Sequence, residues 1–481
     1  MGDELYQDRY YQDKYYPDKF YPRYHYRPEK NWMNDPNGLI YMDGWYHMFY
    51  QYNPGGDVWG DIHWGHAKSR DLLHWEECPI ALGPSYEEGE LHCYSGCAAV
   101  RNNQVYLFYT SVGQGERGPE DGAQQWCAVC DGDMNHWKKI GKPALPNELR
   151  GDIRMWRDPF IWKEDEYFML LSGTLEKRGC IGLYKSQNLR EWSFCSILYT
   201  SQEYELLECP NMLKFGEKYV ILYAPLEGTR YCIGELKKDT WEFAVEQEGV
   251  FDYSVGKRGF YAPNTYLTDP EGRYLTIGCL FEWDRMSCTY HRGWAGMQSL
   301  PREVFLEEDG LHIRLAKECR KLRKKILYQG LDQIPHISGD KVSEDGGQEQ
   351  WLAACLQGEI CCRLRLPENG RFGIKMFASW NGAEYTELII DHTVHKILLD
   401  RSRSTQDANV GTEQIEVKIP KGGCDYHIDI VLDHSSVEIF INERYTISAR
   451  VFPDNVFGGI AVSEYPEQGA VEEFIVYGLA L

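Results

Sequence analysis

The stretch Trp32-Met-Asn-Asp-Pro-Asn-Gly38 runs directly into Leu39-Ile-Tyr-Met42, the pair Asp43-Gly44, and Trp45-Tyr-His-Met-Phe-Tyr50. Two apolar, aromatic-rich runs around Asp-Gly predict a β-hairpin, because Asp-Gly accepts the positive backbone angles of a two-residue turn. Asp35 therefore sits where the chain enters a strand, between the amide of Asn34 and the rigid turn Pro36-Asn37-Gly38. Taken alone, an acid in Asp-Pro-Asn-Gly is better explained as a turn residue, since such residues dominate turns. The same arrangement returns along the chain, and the return changes the reading.

Hairpin turns are predicted at Asp43-Gly44, Asn102-Asn103, Glu164-Asp165, Gly216-Glu217 and Asp269-Pro-Glu-Gly272, spaced by 59, 62, 52 and 53 residues. A recurrence of roughly 50 residues marks a repeat architecture. A second repeat interleaves with the first: Ser69-Arg-Asp-Leu-Leu-His-Trp75, Asp131-Gly-Asp-Met-Asn-His-Trp137 and Ser186-Gln-Asn-Leu-Arg-Glu-Trp192. Each predicts a turn into the outer strand of a unit, with its Trp packed between units. Some four strands per unit, repeated in five units, predict an all-β fold with a five-bladed β-propeller over residues 31–325.

The acids then fall into register. Asp35 precedes its turn by eight residues, Asp158 by six and Glu208 by eight, and each lies beside a proline, Pro36, Pro159 or Pro210. Tyr94-Ser95-Gly96 and Tyr261-Ala-Pro263 hold the corresponding places in the other two units. In a radial arrangement such positions converge on one axis, so three carboxylates are expected at one end of the central funnel. Chance supplies one or two such matches; three make a site.

Composition bounds the rest. A chain of 481 residues predicts two to four domains, and a formal charge of −22 argues against nucleic-acid or anionic-membrane partners, which need clustered Lys and Arg. The 34 Tyr and 15 Trp suit strands and sugar-binding clefts alike. The N-terminus lacks the apolar segment of an export signal, and no run is long enough to span a bilayer. With 16 scattered cysteines, this predicts reduced thiols and a cytoplasmic protein. Cys127-Ala-Val-Cys130 has no second pair and His63-Trp-Gly-His66 no third ligand, so no metal site is expected. Residues 1–30 form a Tyr-rich arm with a five-residue pattern over 6–24, read as a frayed extension, with an oligomer contact or an arm laid over the body as the alternatives. The basic run Glu318–Lys325 reads as a solvated face and 326–350 as a linker. Alternating runs over 351–481 predict an antiparallel β-sandwich in a supporting role.

Carboxylates facing each other across a cleft of aromatic and amide side chains point to glycoside hydrolysis, whose transition state carries positive charge beside the anomeric carbon. The residues also resemble a known family. Trp32–Gly38, Trp156-Arg-Asp-Pro159 and Glu208-Cys-Pro210 resemble the three signatures of glycoside hydrolase family 32, the invertase and fructanase family. Further similarities are Gln51-Tyr-Asn-Pro54, His63–His66, Tyr94–Gly96, Tyr261–Pro263, Gly293-Trp-Ala-Gly296, Leu300-Pro-Arg-Glu303 and, in the sandwich, Asp433-His-Ser-Ser-Val-Glu-Ile-Phe440.

The resemblance implies a retaining β-fructofuranosidase with Asp35 as nucleophile, Glu208 as acid/base and Asp158 as transition-state stabiliser. It implies a fructose pocket shaped by Trp32, Asn34, Gln51, Trp59, Tyr94, Ser95, Arg157, Tyr261 and Trp283, and no metal or organic cofactor. Arg157 is expected to keep Asp158 or Asp35 ionised, and Glu208 to hold its proton through burial and negative neighbours. Three departures stand out: Asn211 where the family usually has Asp, Asn264 where Gln is common, and Cys279 where Trp is frequent. They are expected at the rim or behind the pocket, bearing on substrate identity more than mechanism. The partner expected is a small β-fructoside: sucrose, its 6-phosphate or a short inulin- or levan-type fructan. Fructosyl transfer, and a non-catalytic sugar-binding propeller, are the competing functions; self-association is left open.

Overall fold

A computed structural model describes residues 18–481 apart from 114–122, 131–132, 141–142, 255–258, 281–291, 331–350, 408–410, 423 and 465–469. Five antiparallel sheets follow one another along the chain. The first holds Asn31–Met42, Trp45–Asn53, His63–Ser69 and Trp75–Leu82; the second His92–Arg101, Gln104–Val112, Gln124–Cys130 and Trp137–Lys139. The third holds Arg154–Lys163, Tyr167–Leu175, Arg178–Ser186 and Ser193–Thr200; the fourth Glu208–Phe215, Lys218–Ala224, Thr229–Lys237 and Glu242–Asp252. The fifth holds Phe260–Tyr266, Tyr274–Leu280, Arg302–Glu307 and Gly310–Leu315. In each, the first strand is the innermost, and these are the blades of a propeller.

Ring closure is made by a detour. Between the second and third strands of the last blade, Trp294–Ala295 pairs in parallel with Asn31 and Trp32 of the first blade. The detour needs Gly296: its φ is +81°, and a Cβ there would lie 2.0 Å from the Met33 carbonyl oxygen.

The Trp repeat ties the blades together. Trp137 stands edge-on to Phe49 of the first blade (centroids 5.4 Å), and Trp192 edge-on to Phe108 of the second (6.1 Å). Trp241, not part of the repeat read from sequence, meets Phe168 of the third blade at 5.5 Å. The turns leading to these rings place Leu72, Met134 and Leu189 at positive φ, and the Trp75 and Trp137 indoles donate back to the carbonyls of Leu72 and Met134. Asp131 and Gly132 of the repeat lie outside the described residues.

The C-terminal part is a sandwich of two six-stranded sheets around an Ile-, Leu- and Val-rich core. Its boundary differs from the expectation. Arg323–Gln329 pairs with Ala470–Leu479 as an edge strand of the sandwich, so 323–325 leave the propeller and 326–329 are not linker. The basic run is correspondingly more than a solvated face: Cys319 and Leu322 are buried, and Arg323 pairs with Glu359 at 2.6 Å. The expected linker residues 331–350 lie outside the described residues.

The arm also departs from the frayed extension. Phe20, Tyr24 and His25 are buried between propeller and sandwich. Asp433 accepts backbone N–H bonds from Arg23, Tyr24 and His25, and the two ring nitrogens of His25 reach Asp433 and Glu438, each at 2.9 Å. A backbone segment whose donors find buried acceptors is held in place. Residues 1–17 lie outside the described residues.

Candidate active site

All five innermost strands carry a β-bulge, with two residues opposing one of the neighbouring strand. The bulged pairs are Asn34–Asp35 opposite Gln51, Tyr94–Ser95 opposite Thr110, Asp158–Pro159 opposite Leu171, Cys209–Pro210 opposite Tyr223, and Ala262–Pro263 opposite Gly278. Bulges re-aim side chains beside functional sites. Here the residues preceding proline, Asp158, Cys209 and Ala262, take φ of 59°, 50° and 50°. Left-handed backbone at a non-glycine residue costs on the order of 1 kcal/mol or more, so three such residues around one axis mark a strained, functional rim. At the second bulge Gly96 is required, because a Cβ would lie 2.0 Å from the Phe108 carbonyl oxygen.

The three predicted carboxylates meet at this rim, at staggered rather than identical positions: Asp158 opens its bulge, Asp35 closes its own, and Glu208 immediately precedes one. Cys209 links them. Its backbone N–H donates to Asp158 Oδ2 at 3.1 Å, and its thiol lies 3.8 Å from both Asp158 Oδ2 and Asp35 Oδ2. Glu208 is held by Arg157, at 2.8 Å from Oε1, and by the Tyr261 hydroxyl at Oε2. Arg157 thus forms its ion pair with Glu208, for which only negative neighbours were foreseen, and also favours the ionised form of Asp158, one of the two acids it was expected to serve.

Charge is under-compensated here. Burial pushes the Asp35 carboxyl up to about 7; the Ser95 hydrogen bond opposes this, while Glu208 and Asp158 add to it. Burial likewise lifts Asp158 to about 6, against the pull of Arg157. One guanidinium cannot neutralise three acids that have lost most of their water.

The remaining predicted residues divide. Ser95 donates to Asp35 Oδ2 at 2.6 Å, and Gln51 Nε2 donates to Ser95 Oγ at 2.7 Å. Trp32 packs with Ile62, Ala295 and Tyr94 into one wall. The backbone oxygen of Asn34 accepts from Gln298 at 2.6 Å, while its side-chain Oδ1 is buried with no hydrogen-bond partner among the described residues. Trp59 stands 46% exposed at the mouth, its ring 5.0 Å from that of His92, which in turn stacks on Tyr94 at 5.9 Å. Trp283 lies outside the described residues. His66 turns away from His63 to pair with His47 at 3.0 Å under the Phe49 ring, a packing role.

Of the departures, Asn211 and Asn264 are buried ties between strands: Asn211 donates to the Pro263 carbonyl at 2.8 Å and Asn264 to that of Gly96 at 3.1 Å. Cys279 is buried, with its sulfur 3.9 Å from Asp35 Oδ1, closer to the predicted nucleophile than the expectation put it. Sequence reading also missed Gln298, and Thr110, whose Oγ1 accepts the Asp158 N–H at 2.9 Å. Thr110 lies in the second blade's hairpin strand and Gln298 two residues past Gly296, and only pairing register shows what they face.

Known proteins share this architecture. The description "Glycosyl hydrolases family 32 N-terminal domain" matches residues 25–316, and "Glycosyl hydrolases family 32 C terminal" matches 327–477. The chain is 30% identical to a sucrose-6-phosphate hydrolase of Zymomonas mobilis over 461 residues, covering 90% of this chain and 86% of that protein. It is 30% identical to one of Escherichia coli over 477 residues, 95% and 92% of the two chains. Among solved structures, a Bombyx mori GH32 beta-fructofuranosidase superposes with a TM-score of 0.77 at 28% identity, covering 98% of this chain and 97% of that one. With both family descriptions matched along nearly its whole described length, the chain belongs to glycosyl hydrolase family 32.

Proposed function

We propose that the protein is a retaining β-fructofuranosidase that releases terminal fructose from sucrose, sucrose 6-phosphate or a short fructo-oligosaccharide. The observation that carries this reading is the meeting of Asp35, Asp158 and Glu208 around Cys209 at one end of the funnel. Asp35 attacks the anomeric carbon while Glu208 protonates the departing oxygen, giving a covalent fructosyl ester. Glu208 then takes a proton from water, which cleaves the ester with net retention. Asp158 stays beside the sugar, where hydroxyl hydrogen bonds tighten as positive charge grows. Two buried atoms without partners among the described residues, Asn34 Oδ1 and Arg157 Nε, are suited to sugar hydroxyls. Trp32, Tyr94 and Trp59 supply the apolar wall that sugar rings stack on.

Resemblance to two sucrose-6-phosphate hydrolases puts sucrose 6-phosphate among the substrates to compare, beside sucrose and the fructans. Fructose release from sucrose, its 6-phosphate, kestose, inulin and levan tests the proposal; no release from any of them refutes it. Transfer to sugar acceptors proceeds through the same ester and is separated by product analysis at high substrate. We place the protein in a reducing compartment such as the cytoplasm, because all fifteen described cysteines are free, most of them buried.

A further inference from the structure

The two oxygens of Asp35 are treated differently. Oδ2 takes the Ser95 hydroxyl at 2.6 Å, has Gln51 Nε2 at 3.4 Å and the Cys209 thiol at 3.8 Å. Gln51 also donates to Ser95 at 2.7 Å, so amide, hydroxyl and carboxylate form one relay. Ser95 is 2% exposed and Gln51 6%, and both sit on strands, so the relay is rigid. On the Oδ1 side, the side-chain hydrogen-bond partner among the described residues is the Cys279 sulfur at 3.9 Å. A thiol is a weak donor and leaves the lone pairs of Oδ1 largely uncommitted.

We propose that Asp35 attacks through Oδ1, and that Ser95, backed by Gln51, is the positioning residue that enforces this choice by holding Oδ2. The sequence-level resemblance assigned Ser95 and Gln51 to the sugar; the geometry assigns them to the nucleophile. The inference rests on the reading of Asp35 as nucleophile. In the step itself the Oδ1 lone pair forms the bond to the anomeric carbon, the bond to the leaving oxygen breaks, and that oxygen takes the proton of Glu208. In the second step water replaces Oδ1 and gives its proton to Glu208. A strong donor on Oδ1 would tie up the attacking pair, and Cys279 supplies a soft contact instead.

The ionisation of Asp35 reports on both sides. The charged or titratable groups around it are Asp158, Glu208, Tyr94, Tyr261, Cys209 and Cys279, with Arg157 acting on the two other acids. Hydrogen bonds to a carboxylate favour its charged form. Removing the donor in Ser95→Ala therefore moves the acid limb of kcat/KM upward, by about one pH unit, and lowers kcat. Ser95→Thr keeps the hydroxyl and keeps the limb. Cys279→Ser places a real donor on Oδ1: the limb moves down, while kcat falls by about tenfold or more. Opposite shifts from the two sides, in variants whose thermal melts show a folded protein, support the inference. An unmoved limb in Ser95→Ala with only KM raised, or an unmoved or raised limb in Cys279→Ser, overturns it. Should Ser95→Ala not fold, the Cys279→Ser limb decides alone. Activity surviving in Asp35→Ala would instead remove the underlying assignment of the nucleophile.

Discussion

Two clusters of three carboxylates are compensated to different degrees. At the junction of arm, propeller and sandwich, Asp433, Glu438 and Asp252 meet two cations. Arg302 pairs with Asp252 and Glu438 at 2.7 Å each, His25 bridges Asp433 and Glu438, and Ser448 donates to Asp252 at 2.9 Å. Burial raises all three acids, but His25 outweighs it at Asp433 and His25 with Arg302 at Glu438, so both end below their ordinary values, while Asp252, facing Arg302 and Ser448, is still lifted to about 6. Burial would lower His25, yet its two acid partners lift it to about 9. In the funnel the cation that Asp35, Asp158 and Glu208 share among the described residues is Arg157, and the first two acids are pushed up. A compensated cluster fastens domains; an under-compensated one is held ready for chemistry.

The comparison breaks most sharply through activity. Asp35→Ala is expected to cut kcat by a factor on the order of a thousand or more while the protein stays folded, measured as fructose release beside a thermal melt. Glu208→Ala loses roughly a hundredfold or more, and substrates with good leaving groups restore part of its rate but not that of Asp35→Ala. Equal rescue of the two would contradict the division of roles. The junction answers in the opposite sense. Arg302→Ala, leaving two buried acids short of a cation, is expected to cost about 3–5 kcal/mol in urea unfolding. Activity there is lost only as the fold is lost.

The pH dependence of stability sharpens the contrast. The folded value of His25, about 9, exceeds the ordinary 6.5. Its contribution is therefore complete below 6.5 and lost as pH rises through 9. Asp35 is an acid raised from 3.8 to about 7, so ionising it opposes folding increasingly over that range. Asp35→Asn should match the wild type near pH 4 and exceed it above pH 7 by a few kcal/mol at most. A variant that is least stable at neutral pH would mean the acid is compensated after all. The smallest effect belongs to the mouth. Trp59→Ala should raise KM for sucrose by about threefold with kcat little changed, since its exposed ring adds binding area that ground and transition states share.

The blade count and the three acids were legible because each rests on a short-range signal repeated at long range: a turn pair, a strand, a proline beside an acid. The arm was misread because its pentad Tyr pattern has no strand or helix period, and its partners, Asp433 and Glu438, lie more than 400 residues away. The sandwich edge was misread because Arg323–Gln329 is largely solvent-facing and shows little alternation of apolar residues. Cys279 was expected at the rim or behind the pocket, because sequence comparison gives a position, not a direction; only pairing opposite Tyr261 aims it at Asp35. The bulges were invisible for the same reason, since an extra residue in a strand changes register without changing composition.

The most direct test of the account is to find where the sugar is bound in the intermediate. Glu208→Ala, treated with a fructoside bearing a good leaving group, forms the ester but lacks the base that hydrolyses it. Quenching and peptide mapping by mass spectrometry should then show a fructosyl group on the peptide carrying Asp35. Fructosyl on another residue, or an inverted product formed with no labelled peptide, would contradict the account.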